Sequence, residues 1–321
     1  MKVVIPGGSG QVGALLVRAL HARGDEVVLL SRTAGDAWGA RRVAWDGRTL
    51  GAWASEIDGA DVVINLAGRS VNCRYTAENR RAMLESRVDS TRVIGLSIAA
   101  AARPPRVWLQ MSTATIYAHR FDAPNDESTG RIGGGEPGAP EAWRFSVQIA
   151  QAWERTQQES TTPRTRQVAL RTSMVMSPDR GGIFDVLSGL TRAGLGGSIA
   201  GGRQLTSWIH ERDFARAVLF SIEREELSGA LNLTAPNPLP QREFMALLRA
   251  AWGTRLGLPA AAWMVEIGAL FLRTESELPL KSRYVIPGRL LEAGFRFELP
   301  DWPEAARELV ERWRQAKPAA G

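Results

Sequence analysis

The chain begins Met1-Lys-Val-Val-Ile-Pro-Gly-Gly-Ser-Gly-Gln-Val-Gly13, and this stretch decides its fold. A short apolar run enters a glycine-rich turn, after which residues 12–20 carry apolar side chains at helical spacing and residues 26–30 form a second apolar run. Strand, glycine turn, helix and strand within about thirty residues is the context that a dinucleotide-binding turn requires. Glycines at 7, 10 and 13 let backbone N–H groups approach a pyrophosphate at the helix N-terminus. An ordinary turn between strand and helix, without a ligand, remains the alternative.

Strand and helix patterns continue to alternate after this unit. Apolar runs at 62–66, 107–111 and 168–172 predict strands, and the stretches 76–102 and 142–160 predict helices. Alternation of this kind predicts a parallel sheet with helices on both faces. Ligands of such sheets bind outside the carboxyl ends of the strands.

The sequence changes character at about residue 174, where glycines become frequent. The later patterns predict a strand at 229–234. They also predict helices at 212–223, 242–252, 262–272, 288–293 and 303–315. We therefore predict an α/β fold, a doubly wound parallel sheet (Rossmann) with a small C-terminal α/β domain. Residues 1–173 with parts of 205–235 would form the dinucleotide-binding domain, and residues 174–204 and 236–321 a smaller substrate or cap domain.

Composition narrows the class of protein. With 321 residues and 44% apolar residues, the chain can bury a large core, and it contains no apolar run long enough to cross a membrane. The lone Cys73 and the lack of a signal-peptide pattern predict a cytoplasmic protein. Three His and one Cys argue against a metal site. The net charge of +6 comes from scattered arginines without a basic run, so we expect no nucleic-acid partner and no membrane partner.

The end of the second strand selects between dinucleotides. An acidic residue there binds the ribose 2′-hydroxyl of NAD, whereas an arginine accommodates the 2′-phosphate of NADP. This strand ends Leu30-Ser-Arg-Thr33 without an acid. Arg32 can pair with a phosphate and Ser31 can add a hydroxyl, so the sequence favours NADP(H) over NAD. A solvated Arg32 in an arginine-rich chain is the alternative.

Several segments together resemble the extended short-chain dehydrogenase/reductase superfamily, in its epimerase/dehydratase group. The likeness extends over residues 1–305 and is closer to an atypical branch, the "epimerase family protein" branch, which has a C-terminal domain of unknown function. It rests on the segments Pro6-Gly-Gly-Ser-Gly-Gln-Val-Gly13, Asp61-Val-Val-Ile-Asn-Leu-Ala-Gly68, Ser86-Arg-Val-Asp-Ser-Thr91, Arg171-Thr172 with Gly181-Gly182, Gly202-Arg-Gln-Leu-Thr-Ser-Trp-Ile-His210 with Asp213, Asn232-Leu-Thr-Ala-Pro-Asn-Pro238 and Pro287-Gly-Arg-Leu-Leu-Glu-Ala-Gly-Phe-Arg-Phe297.

The resemblance implies an NADP-binding domain and a small-molecule substrate, and because dimers are common in such families it also implies a homodimer as one option. The cofactor-binding residues that we expect are Gly7, Ser9, Gly10, Gln11, Val12, Gly13, Ser31, Arg32, Asn65, Leu66, Ala67, Gly68, Arg87 and Thr172. Arg203 and Trp208 are expected at the substrate. Thr206 stands where nucleotide-sugar members of the group carry a diphosphate-binding arginine. This difference argues against a nucleotide-sugar substrate.

The chemistry departs from the pattern that the resemblance implies. Superfamily enzymes use a Ser or Thr after the fifth strand and a Tyr-x-x-x-Lys pair on the next helix, where the Lys lowers the pKa of the Tyr. Ser112 is present, but counting back from Trp153-Glu154 places Ser146 at the Tyr position and Ala150 at the Lys position. The sequence has no lysine between residues 3 and 280, so no shift of register restores the pair.

Tyr117 is then the candidate proton donor, with Ser112 orienting the substrate. Thr113, Cys73 and His119 are weaker candidates for catalysis. We expect an NADP(H)-dependent oxidoreductase or epimerase-like enzyme that acts on a small carbonyl, imine or alkene. The alternative is an NADP(H)-binding regulatory or scaffold protein without turnover.

Overall fold

A computed structural model describes residues 1–271 and 275–315 of the chain. Its strands, in chain order, are β1 (Lys2–Pro6), β2 (Glu26–Ser31), β3 (Gly35–Ala37), β4 (Ala40–Ala44), β5 (Val62–Asn65), β6 (Val107–Thr113), β7 (Arg166–Thr172), β8 (Met174–Met176), β9 (Leu205–Thr206), β10 (Trp208–His210), β11 (Gly229–Leu233) and β12 (Leu239–Pro240). The helices are α1 (Gln11–Ala22), α2 (Ala77–Ala100), α3 (Glu141–Gln158), α4 (Ile183–Arg192), α5 (Glu211–Glu223), α6 (Gln241–Trp252), α7 (Ala262–Phe271), α8 (Glu277–Leu280), α9 (Gly288–Glu292) and α10 (Trp302–Gln315).

Eight strands form one sheet in the order β11-β7-β6-β5-β1-β2-β4-β3. All neighbouring pairs in it are parallel except β3 with β4. Strands β2, β4 and β3 lie on one side of β1, and β5, β6, β7 and β11 lie on the other, so the order in which strands are added reverses between β1 and β5. The carboxyl ends of these two strands therefore border the crevice where ligands bind in such sheets. The predicted doubly wound α/β fold is confirmed.

The sheet is buried on both faces, as the continuous apolar runs of its central strands require. Val3, Val4 and Ile5 of β1 are fully buried, with side chains that alternate between two hydrophobic clusters. Helix α1 packs on the sheet through an apolar stripe that includes Leu16 and Leu20. These packed strands and helices hold the loops at the carboxyl edge in place.

A further hydrophobic cluster joins α4, α6 and α10. Phe244 stacks on Trp302 at a ring-centroid distance of 4.0 Å, and Trp208 meets Trp302 edge-on. Strand β11, in contrast, pairs with β7 and belongs to the main sheet. The exact domain boundaries stay a prediction.

Some elements differ from the expectations. The sequence patterns predict no helix at residues 183–192, in a region where glycines are frequent, yet these residues form α4. Gly182 ends the preceding turn in an extended conformation, and apolar residues then recur at helical spacing. The short strands β3 and β4 extend the sheet edge and were not foreseen. The helix expected at 262–272 is α7, and Leu272 lies outside the described residues.

Candidate functional site

The glycine turn after β1 is shaped by close backbone contacts. Gly7 has a φ of +72°, and a Cβ at this position would lie 2.5 Å from the Cα of Ala67, so only glycine fits without a shift. A Cβ on Gly13 would lie 1.9 Å from the carbonyl oxygen of Gly8. These two glycines therefore hold the turn against α1 and against the loop that follows β5.

Gly10, in contrast, is exposed. A Cβ there would meet no described atom within 4 Å, and no described side chain caps the α1 N-terminus that begins after Gly10. Free N–H groups at a helix N-terminus favour an anion such as a pyrophosphate. Arg32, directly after β2, is exposed, while Ser31 is buried and donates its hydroxyl to the Thr33 carbonyl oxygen at 2.5 Å. The turn and Arg32 thus fit a dinucleotide phosphate, whereas the Ser31 hydroxyl is directed inward.

The first residues of the loop after β5 contact the glycine turn. The Leu66 N–H donates to the Pro6 carbonyl oxygen at 2.8 Å, and the buried Asn65 amide binds Gln110 and accepts from the Ala67 N–H. The Asn65 side chain therefore shapes this loop from inside. The Ala67 backbone lies directly against Gly7 of the turn.

Arg87, on α2, lies beneath this loop. Its guanidinium stacks on the Trp153 ring at 4.9 Å and donates to the Met83 carbonyl oxygen, and a Cβ on Gly68 would lie 3.2 Å from its Cζ. Burial lowers the pKa of Arg87 to about 10, so it remains a cation at neutral pH. A buried cation beside the loop favours anionic groups there.

The side chains of Ser112 and Tyr117 belong to a buried hydrogen-bond network. The Ser112 hydroxyl donates to Glu154 at 2.6 Å, and Glu154 forms a bidentate ion pair with Arg171 at 2.9 and 2.8 Å. Arg171 also donates to the Tyr117 hydroxyl, which in turn donates to Asn232, each at 2.9 Å. The polar atoms of these side chains are thus directed at one another.

Tyr117 is not placed as the sequence led us to expect for a proton donor. Its side chain is 2% exposed, and burial raises its pKa, an effect that Arg171 offsets only in part. Ser112 is 3% exposed. A substrate could reach neither hydroxyl without opening the network, so the structure gives both side chains a role in the interior.

The remaining candidates are dispersed. Thr113 caps the short turn 114–116 by accepting from the Thr115 N–H, and Cys73 contacts the Ser70 carbonyl oxygen at 3.8 Å. His119 is half-buried, which lowers its pKa, and its Nδ1 accepts from the Ser282 N–H.

Three further side chains belong to the predicted set. Thr172 is buried and its hydroxyl donates to the Leu170 carbonyl oxygen. Arg203 is exposed. Trp208 departs from the expected contact with substrate, because its indole is fully buried against Trp302 and cannot line an open pocket.

A different polar cluster lies where the loop before α2, helix α3 and the C-terminal segment meet. The Tyr75 hydroxyl is 3.4 Å from the Ser146 hydroxyl, which donates to Glu277 at 2.5 Å. Glu277 pairs with Lys281 at 3.4 Å, and Lys281 donates to the Thr115 carbonyl oxygen at 2.8 Å. We call Tyr75, Ser146, Glu277 and Lys281 the junction cluster.

The sequence offered one signal for this cluster. Lysine is rare in the chain, and Lys281 is one of three. Its distance of more than 130 residues from Ser146 along the chain hid the contact, because only the folded C-terminal segment brings the two together.

The chain also matches models of known families. The model described as "NAD dependent epimerase/dehydratase family" matches residues 3–233. This chain belongs to that family. Residues 260–309 match a second model, a domain of unknown function (DUF1731), so the expected combination of an epimerase/dehydratase domain with a C-terminal domain of unknown function is confirmed.

Relatives of this epimerase/dehydratase family protein cover nearly its whole length. Bovine epimerase family protein SDR39U1 is 31% identical over 97% of this chain and 100% of its own. The crystal structure of human epimerase family protein SDR39U1 with NADPH superposes with a TM-score of 0.84, at 30% identity, over 97% of this chain and 99% of that one. A nucleoside-diphosphate sugar epimerase from Corynebacterium glutamicum has a TM-score of 0.75 at 26% identity, over 97% of this chain and 58% of that one.

Among residues 1–271 and 275–315, no group of three or more His, Cys, Asp or Glu side chains could hold a metal ion. Within the same ranges, no helix is both long enough and apolar enough to cross a membrane.

Proposed function

We propose that this chain binds NADP(H) and uses it to reduce a small carbonyl, imine or alkene substrate. The observation that carries the proposal is the combination of an open α1 N-terminus at Gly10 with an exposed Arg32 after β2. A helix N-terminus favours a pyrophosphate, and an arginine at the end of the second strand accommodates a 2′-phosphate. The human relative, which was solved with NADPH, supports the same cofactor.

The residues divide into those that would hold the cofactor and those that support them. The turn from Gly7 to Gly13 would bind the pyrophosphate, and Arg32 the 2′-phosphate. Arg87 places a buried positive charge beside Gly68 of the loop after β5. When bound, the dihydronicotinamide supplies a hydride, and the protein must supply the proton.

A second candidate function is an NADP(H)-binding regulator or scaffold without turnover. The internal placement of Ser112 and Tyr117 favours it, because the two hydroxyls expected to handle the substrate are both engaged in the interior. The two candidates share the cofactor and differ in turnover.

The cofactor assignment is tested by the variant Arg32→Ala. Loss of one charge-assisted contact, about 1.5–3 kcal/mol, corresponds to about 10- to 150-fold weaker NADPH binding. NADH, which lacks the 2′-phosphate, should be affected little. Titration of nicotinamide fluorescence measures both, and Arg307→Ala, an exposed arginine of α10, is the matched control. Equal weakening of NADPH and NADH would overturn the NADP assignment.

Turnover separates the two candidate functions. Purified protein is mixed with NADPH and a panel of nitrobenzaldehyde, diacetyl, pyrroline and cyclohexenone, and the nicotinamide absorbance is followed. Oxidation of NADPH that depends on one of these probes supports the reductase. Tight NADPH binding without oxidation by any of them favours the regulator.

A further inference from the structure

We propose that Tyr75 is the proton donor of this protein, and that the Ser146–Glu277–Lys281 part of the junction cluster positions it. This inference rests on the proposed reductase function and names the group that completes it. The chain contains three tyrosines, and the Tyr117 hydroxyl is already bonded twice in the interior.

The location of Tyr75 connects it with the cofactor turn. The loop that ends at Tyr75 begins at Leu66 and Ala67, which contact Pro6 and Gly7 of the glycine turn. Both lie at the carboxyl edge of the sheet, beside neighbouring strands β1 and β5. A group on this loop can therefore face a ligand held by the turn.

The phenol is held in place and remains partly accessible. Tyr75 is half-buried, its ring meets Phe145 edge-on at 5.5 Å, and its N–H donates to Glu275 at 2.8 Å. Its hydroxyl is within 3.4 Å of Ser146. The Ser146 proton is donated to Glu277, so the Tyr75 hydroxyl is the donor in the long 3.4 Å contact with Ser146. A hydroxyl rotates about its C–O bond, so the same O–H can instead donate to a substrate oxygen.

The rest of the cluster links the phenol to a buried ion pair. Ser146 donates to Glu277, and Glu277 and Lys281 are 5% and 2% exposed. Burial of an ion pair is costly unless its remaining hydrogen bonds are satisfied, and Lys281 meets this need by binding the Thr115 carbonyl oxygen. The C-terminal segment thus delivers a carboxylate and an ammonium to the edge of a domain that lacks its own lysine there.

Charges around Tyr75 keep its proton in place at neutral pH. Burial is the first cause of its raised pKa, and the negative charges of Glu277 and Glu275 act in the same direction, while the hydrogen bond to Ser146 opposes them. The cations that face it are Arg87 on α2 and Arg283 in the C-terminal segment. A protonated phenol suits the direction of reduction, in which a proton is consumed.

With a carbonyl substrate, Tyr75 Oη would give its proton to the carbonyl oxygen, while the cofactor, when bound, would supply the hydride for the carbonyl carbon and be oxidised. One C–H and one O–H bond form, the C=O double bond becomes single, and solvent returns a proton to the phenolate through the Ser146 hydroxyl.

The test compares Tyr75→Phe with Tyr117→Phe, using the panel probe that the wild-type protein reduces. Tyr75→Phe should keep its thermal unfolding midpoint and its affinity for NADPH but lose about 100-fold or more in turnover. Tyr117→Phe should show the opposite: a lower midpoint, because Asn232 and Arg171 lose a buried partner, with turnover per folded protein retained.

A readout apart from turnover is the titration of the phenols. The tyrosinate absorbance of the protein without cofactor, minus that of Tyr75→Phe, reports the pKa of Tyr75. Glu277→Gln removes a negative charge and should lower that pKa, and the high-pH limb of the reduction rate should move down with it. The phenol pKa responds to this charge whatever the role of Tyr75, so the decisive readout is the rate: a high-pH limb that stays in place while the phenol pKa moves would show that Tyr75 does not supply the proton.

The outcomes are distinct. Wild-type turnover that survives in Tyr75→Phe, or a pH limb unchanged in Glu277→Gln, overturns the role of Tyr75 and leaves the reductase intact. A wild-type protein that binds NADPH but reduces none of the probes overturns the reductase itself, and the proton donor with it.

Discussion

Among single residues, Glu154 illustrates how the interior tolerates charge. Its side chain is 6% exposed, and it accepts hydrogen bonds from Ser112 and from two nitrogens of Arg171. The bidentate geometry fixes both partners, which in turn fix Tyr117. Removal of the carboxylate would leave a guanidinium without its ionic partner in the interior.

We therefore expect Glu154→Gln to destabilise the protein strongly, by about 3–5 kcal/mol, because an uncompensated buried charge costs that much. The free energy of unfolding from urea titration at neutral pH measures the loss. The matched control is Glu56→Gln, which breaks the bidentate pair with the half-exposed Arg41 and should cost about 1 kcal/mol or less. Similar losses in both variants would contradict the expectation.

At the scale of elements, the long periodic segments were predictable and the short ones were not. Strands β1, β2, β5, β6 and β7 follow from apolar runs, and α1 from its helical spacing after the glycine turn. The two- and three-residue strands were missed, because tertiary packing rather than local periodicity determines such short elements. Helix α4 was missed for another reason: its apolar residues do recur at helical spacing, but the glycines on either side of it masked the pattern.

The candidate site divides in the same way. Gly7 and Gly13 were predictable because a local backbone requirement selects glycine. The inward bonds of Ser112 and Tyr117 and the approach of Glu277 to Ser146 depend on residues far apart in the chain. Local sequence patterns do not reveal which distant side chains meet, so these contacts became known only from the folded structure.

The glycine turn allows stability and binding to be separated at the element scale. Gly13→Ala would place a Cβ 1.9 Å from the Gly8 carbonyl oxygen, and we expect a loss of about 1–3 kcal/mol in unfolding free energy from overpacking. Gly10→Ala meets open space with an extended backbone, so it should cost less than about 1 kcal/mol, yet its methyl group would enter the space expected for the pyrophosphate. Urea unfolding and NADPH titration of both variants measure these effects. Unimpaired NADPH binding by Gly10→Ala would place the pyrophosphate elsewhere.

At the scale of the whole molecule, the C-terminal third supplies Glu277 and Lys281 of the junction cluster, and its last helix packs against the preceding elements. Helix α10 packs on α6 through its apolar face, and its Glu308 reaches the start of α5. The fully buried His210 accepts from the Arg212 N–H at Nδ1, so Nε2 carries the proton that binds Glu308 at 2.9 Å. Arg212 and Arg312 also pair with Glu308.

This contact should make part of the stability depend on pH. Burial alone would raise the pKa of Glu308, but His210 and the two arginines outweigh it and lower that pKa below the ordinary value near 4.3. A depressed carboxylate stabilises the fold fully above its unfolded pKa, and this contribution disappears as the pH falls through the folded pKa. The difference in unfolding free energy between wild type and Glu308→Gln should therefore be constant above about pH 5 and shrink below it. Urea unfolding across this range measures it, with the exposed Glu304→Gln of the same helix as control. If the difference in unfolding free energy between wild type and Glu308→Gln stays constant down to about pH 3, the Glu308 charge does not stabilise the packing of α10.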